Sequence, residues 1–161
     1  MGGSNLKRTA SIIGVFALFL VPRVLMLGDA RWTSEESWFF ADIVATAQGE
    51  RWSALGTPVS GTHGAHPGPY FYWILAPFAL GGSPWLVAFG VAVLDSIGQL
   101  LALLGLSQLW RHRRDRDTTL TALGLAALIL ALSPWTLLYA DRPWNSNLVS
   151  LPVGLALWGS L

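Results

Sequence analysis

The sequence predicts an all-α polytopic membrane protein with about four transmembrane helices and additional external amphipathic or interfacial helices. Three observations carry that prediction. Of 161 residues, 53% are hydrophobic and only 12% charged, about half the charged share of a soluble domain. The apolar residues fall in long uninterrupted runs, and mean hydropathy is +0.50. Nine tryptophans are many for this length, and indoles favour membrane interfaces, where the ring meets hydrocarbon and its N–H meets water.

The first span covers 9–27. The basic start at Lys7 and Arg8 followed by an apolar run resembles a signal peptide, but "LGDA" is a poor cleavage site and more apolar segments follow. The run is therefore expected to be an uncleaved signal anchor. Pro22 and Arg23 stand near one end of it, where an arginine can snorkel to the interface. The second span covers 85–110, with a tryptophan at each end. At about 1.5 Å per residue it can cross a core of about 30 Å with tilt. A third span covers 119–139. Residues 148–161 are apolar to the last position and are expected to be the start of a truncated fourth span, making the whole chain, 1–161, one transmembrane domain and an N-terminal fragment.

Residues 68–81, "GPYFYWILAPFALG", are apolar enough for a membrane but short. Charge decides how they are placed. If they do not cross, the N-terminus and the loop 111–118 lie on one side. Lys7, Arg8, Arg111, Arg113, Arg114 and Arg116 are then inside, with Arg31, Arg51 and Arg142 outside. If they cross, the excess reverses. The positive-inside rule selects the first arrangement. The expected topology has the N-terminus in the cytoplasm, an external loop at 28–83 carrying an interfacial helix at 68–81, and a second external loop at 140–147. A bacterial plasma membrane is the expected location.

Within the external loop, "SEESWFFADIVATAQ" predicts an amphipathic helix over 34–48. Ser34 can cap it, and Glu35 and Glu36 fall in the first turn, where the helix dipole favours negative charge. Trp38, Phe39, Ile43 and Ala47 follow helical spacing, a face suited to lying on a membrane. External loops of this length are usually functional. Its acids, Asp29, Glu35, Glu36, Asp42 and Glu50, form either a solvated surface or a source for one general base, raised in pKa by burial against "WFF". His63 and His66 form H-x-x-H in a glycine-rich loop, a weak metal signal; a histidine that orients a carboxylate or bonds a phosphate fits better, beside simple loop structure. The external "YADRPWNSN" places Asp141, Arg142, Asn145 and Asn147 on the same side as the acidic segment; either Trp135, Tyr139 and Trp144 are interface anchors with Arg142 on lipid headgroups, or these polar residues belong to a site. Asp95 stands with Ser96 and Gln99 near the midplane of the second span. A carboxylate there is functional by default, which keeps a transporter reading open beside interhelical polar packing. Net charge of +1 gives no electrostatic reason to expect nucleic acid as a partner. The lack of cysteine removes disulfides and thiolate chemistry.

The order of these features resembles the N-terminal part of the polytopic GT-C glycosyltransferases, of the protein-O-mannosyltransferase and aminoarabinose-transferase-like kind. The likeness runs through "SEESWFFADIVATAQGERW", the His-Pro-x-Pro lead-in "HPGPYFYW", and the external "DRPWN". Two departures stand out: the acidic pair is Glu-Glu where Asp-Glu is commoner, and Gly68 splits the proline doublet. The resemblance implies transfer of a sugar from a polyprenyl-phosphate donor to an acceptor hydroxyl at the external face, with inversion. Glu35 or Glu36 would be the general base. His66, Tyr70 and Arg142 would contact phosphate or sugar, and Asp141 and Asn145 would shape the acceptor side. The lipid-linked sugar is then a co-substrate, and no metal or other cofactor is implied. A transporter using Asp95 and a non-catalytic membrane partner are the remaining alternatives.

Overall fold

The computed structural model describes residues 2–27, 34–52, 69–111, 116–133 and 148–159. These form six α-helices and no strand: α1 (Gly2–Met26), α2 (Ser34–Ala47), α3 (Tyr70–Ala79), α4 (Pro84–Arg111), α5 (Arg116–Leu132) and α6 (Ser150–Gly159). Two of them are long and apolar enough to cross a membrane, over Thr9–Met26 and Pro84–Trp110. Three more have shorter apolar parts, Tyr70–Ala79, Thr121–Leu132 and Ser150–Gly159. The expected third span falls partly on α5 and the fourth on α6; residues 134–140, at the end of the third, lie outside the described residues.

Local chemistry explains where the helices stop. After α2, Gly49 takes φ +74°, a left-handed conformation that costs glycine nothing. The Glu50 N–H then donates to the Ala45 carbonyl at 2.9 Å and the Gly49 N–H to Thr46 at 3.1 Å, closing a Schellman turn. That reversal folds the chain back along α2. After α3, Gly82 at φ +63° turns the chain, with its N–H on the Ala79 carbonyl at 2.8 Å. Pro84 then opens α4, where its missing N–H has no helical acceptor to serve. The result is a tight α3–α4 hairpin. It closes so far that a Cβ on Gly90 would stand 2.5–2.8 Å from the Phe78 ring.

The helices bury two apolar clusters. One gathers Phe39 and Ile43 of α2, Phe71, Tyr72, Leu75 and Ala79 of α3, Val87 and Val91 of α4, and Leu148. The other gathers Phe19 of α1, Leu103 of α4, and Ala127 and Ala131 of α5. Helices α1 and α4 run antiparallel: Arg23 meets Asp95, while Phe19, a turn earlier, joins Leu103, two turns later. Chain leaving α1 therefore returns to α4 at the same end of the bundle, and α2 and α3 form a layer there against the first turns of α4. Helix α6 packs parallel to α4. A Cβ on Gly98 would strike the backbone of Ser150 and Leu151, one on Gly105 would meet Leu157, and one on Gly154 would strike the Gly98 carbonyl. Such close approach is possible only where small residues face each other.

The apolar stripe of α2 does not lie on lipid as its spacing predicted. Phe39 and Ile43 are buried, with Ala47 packed against their cluster, and Phe71 meets Phe39 edge to face at 6.1 Å. Trp38 alone of that set is strongly exposed. An amphipathic helix buries its stripe against whichever apolar surface is nearest, and here that surface is α3.

Candidate functional site

Two polar clusters sit against this frame. The first ties α1, α4 and α6 together. Arg23 is wholly buried and Asp95 nearly so. Arg23 donates to Asp95 Oδ2 from Nε at 3.1 Å and from Nη2 at 2.9 Å, and its Nη1 donates to the Phe19 carbonyl. Gln99, one turn along α4, donates to the same Oδ2 at 2.9 Å. Ser150, at the start of α6, donates to the Asp95 backbone carbonyl at 3.4 Å. A lone charge in this setting would cost several kcal/mol, and the pairing with its extra donors offsets that cost. Arg23 therefore does not snorkel: it turns inward, because a complementary carboxylate lies within reach of its long side chain.

The second cluster joins α2 to α3. Asp42, on α2, accepts from Arg51 Nη1 at 2.6 Å, the contact that the Schellman turn at Gly49 makes possible. Thr46 Oγ1 bonds back to the Asp42 carbonyl at 2.8 Å. The buried Tyr72 hydroxyl lies beside the Asp42 carboxylate. Burial, then the Asp42 charge, push the Tyr72 pKa up to about 12, so the phenol stays protonated and remains a donor across the working pH range.

Of the expected site residues, Glu36 is 1% exposed, within the first turn of α2. Glu35 precedes it on the same turn, its side chain lying outside the described residues. Tyr70 opens α3 and stands 36% exposed. It is not the tyrosine that joins a polar cluster; Tyr72, two residues on, takes that place. His66, Asp141, Arg142 and Asn145 lie outside the described residues, as does His63. Among the described residues no group of three metal-ligating side chains occurs.

No family model, curated protein or solved structure matches this chain. The Arg23–Asp95 pair was missed as a pair, although each residue stood out singly. Opposite charges in two long apolar helices were the available signal. The Tyr72–Asp42–Arg51 contact had a weaker one, an arginine just past the glycine that ends α2.

What the arrangement offers chemically is a carboxylate-bearing turn held on an aromatic layer. Phe71 packs edge to face with both Phe39 and Tyr72. Asp95 and Asp42 are each engaged by an arginine.

Proposed function

We propose that this chain is the N-terminal part of an integral-membrane GT-C glycosyltransferase. It transfers a sugar from a polyprenyl-phosphate donor to an acceptor hydroxyl at the external face of a bacterial plasma membrane. Spans at 9–27, 85–110, 119–139 and from 148 onward would place the N-terminus in the cytoplasm and α2 outside. The observation that carries the reading is Glu36. This carboxylate residue is drawn out of bulk water in the first turn of α2, on a layer packed where α1 ends and α4 begins. A general base needs a fixed position, and a rigid helix on an aromatic support provides one. Glu36, or its neighbour Glu35, would take the proton from the acceptor hydroxyl. The freed oxygen would attack the anomeric carbon, and the C–O bond to the lipid phosphate would break with inversion. Cationic and hydrogen-bonding groups would receive the departing phosphate, and Arg142 and His66 are the residues suited to that part.

The transporter reading finds less support. It rests on Asp95 as an open carboxylate, whereas that group accepts two donors from Arg23 and one from Gln99.

The test is sugar transfer in membranes containing the product of the complete gene, supplied with radiolabelled polyprenyl-phosphate hexose and pentose donors. Glu36→Gln or Glu35→Gln is expected to lower transfer by about 10²-fold or more, while Glu50→Gln, on the exposed turn after α2, leaves it unchanged. Transfer that persists in both glutamine variants, or that the unaltered protein never shows, rejects the reading.

A further inference from the structure

The outward face of α2 sets an open indole beside a fixed ion pair, and from that juxtaposition we infer a binding site for a pyranose ring. Trp38, Ala41, Asp42 and Ala45 follow the spacing of a single helix face, with about 5–6 Å between the Cβ atoms of successive turns. Trp38 is 66% exposed. Ala41 is exposed too, and its lone methyl leaves the space beside the indole open. Arg51 reaches this face through the reversal after Gly49: its N–H donates to the Ala45 carbonyl at 3.3 Å and its Nη1 to Asp42 Oδ1 at 2.6 Å. Tyr72 lies beside the same carboxylate on the inner side. The pair is thus held in place while staying accessible, the side chains of Asp42 and Arg51 being 28% and 62% exposed.

A pyranose matches each part of this face. One side of the ring is a patch of C–H groups, which packs on an indole as apolar surface. Its rim carries hydroxyls on adjacent carbons, each of them both donor and acceptor. A carboxylate can only accept and a guanidinium can only donate, so a diol bridging Asp42 and Arg51 satisfies both. The contact with Asp42 engages a single guanidinium nitrogen, which leaves further N–H groups for a ligand. Other occupants fit less well. An acyl chain would take the ion pair out of water and offer it no partner, and Gln48, Glu50 and Arg51 are all exposed polar residues. A phosphate drawn to Arg51 would meet the Asp42 carboxylate at once. Trp38 also follows Glu35 and Glu36 within one turn, so a ring stacked on it stands beside the proposed base. The origin of that ring, lipid donor or acceptor, rests on the glycosyltransferase reading.

The test uses the product of the complete gene in phosphatidylcholine nanodiscs, free of sugar-headed detergent. Saturation-transfer NMR follows binding of the methyl pyranosides of glucose, mannose, galactose and xylose, with glycerol as a polyol that lacks a ring. At least one glycoside is expected to bind, with saturation strongest on the C–H protons of one ring face, and glycerol is not. Trp38→Ala should weaken that binding about tenfold or more, Trp38→Phe should weaken it less, and Arg51→Met should weaken it as well. Trp73→Ala, which removes an exposed indole on α3, should have no effect. Nanodiscs doped with polyprenyl-phosphate hexose or with bare polyprenyl phosphate identify the source of the ring. Competition by the sugar-bearing lipid alone assigns it to the donor, and competition by neither assigns it to the acceptor. Competition by both would make the site a phosphate site and overturn the inference. So would the absence of glycoside binding by the unaltered protein, or binding that Trp38→Ala leaves intact. Sugar transfer is measured on the same samples. Binding without transfer keeps this site and rejects the glycosyltransferase reading, whereas transfer without Trp38-dependent binding keeps that reading and rejects the site.

Discussion

Arg23 of α1 and Asp95 of α4 meet through two hydrogen bonds to one carboxylate oxygen, at 3.1 and 2.9 Å, with both residues buried. Seventy-two positions separate them in sequence. The pair fixes the depth of α1 against α4, because a shift of one helical turn, about 5.4 Å, would part the charges inside an apolar medium. Breaking it from one side should therefore be far worse than removing it whole. Arg23→Met or Asp95→Leu alone is expected to destabilise the chain by about 3–5 kcal/mol, and the double variant by much less. Unfolding in mixed micelles, run as a double-mutant cycle, measures the difference. A cost for the double variant equal to the sum of the two singles would show that the charges do not interact.

Packing of α6 on α4 gives a second prediction. Gly98→Ala and Gly154→Ala each place a methyl group against backbone of the other helix, which cannot rotate aside. Overpacking of this kind costs about 1–3 kcal/mol or more. Gly14→Ala and Gly124→Ala meet nothing within 4 Å and should be neutral or stabilising by up to about 1 kcal/mol, through helix propensity alone. Thermal unfolding of the four variants in one detergent separates the two groups. Gly90→Ala falls between them, because the Phe78 ring it meets is a side chain with some room to turn.

The raised pKa of Tyr72 predicts a signature at alkaline pH. Its folded value of about 12 exceeds the ordinary value of about 10. The unfolded chain therefore loses this proton first as pH rises. The contribution of Tyr72 to stability is whole below pH 10 and is lost as pH climbs towards 12. Absorbance at 295 nm should show one tyrosine titrating near 12, and Tyr72→Phe should remove that step. Asp42→Asn should move it downward without restoring the ordinary value, since burial is the larger cause. A Tyr72 step that Asp42→Asn leaves in place would deny the contact between the two residues.

The proposed topology is tested by labelling cysteines in intact cells. Gln48→Cys, exposed on the turn after α2, should react with an impermeant thiol reagent from outside. Thr118→Cys, exposed in the first turn of α5, should react only after permeabilisation. The reverse pattern inverts the chain in the membrane and places Glu35 and Glu36 on the wrong side for an external acceptor.

The helical class, the long apolar helices α1 and α4, the amphipathic α2 and the short α3 were all legible in the sequence. So were Glu36 in the first turn of α2, and Arg23 and Asp95 as charges inside apolar runs. Each is a property of one segment, expressed in hydropathy, period or length, and needs no knowledge of a neighbour. Partners were not legible. Arg23 looked like a snorkelling residue because its Cα lies close to the end of α1. Only the antiparallel seating of α4 brought Asp95 within the reach of its side chain. The stripe on α2 pointed to an apolar surface without saying which, and α3 turned out to be nearer than lipid. Tyr70 and Tyr72 differ by two positions on a helix with no charge to orient it, so the sequence by itself could not tell which faces Asp42. The tertiary structure decided that, because a hydrogen bond or an ion pair depends on the relative rotation and depth of two elements, and neither quantity is written in either element alone.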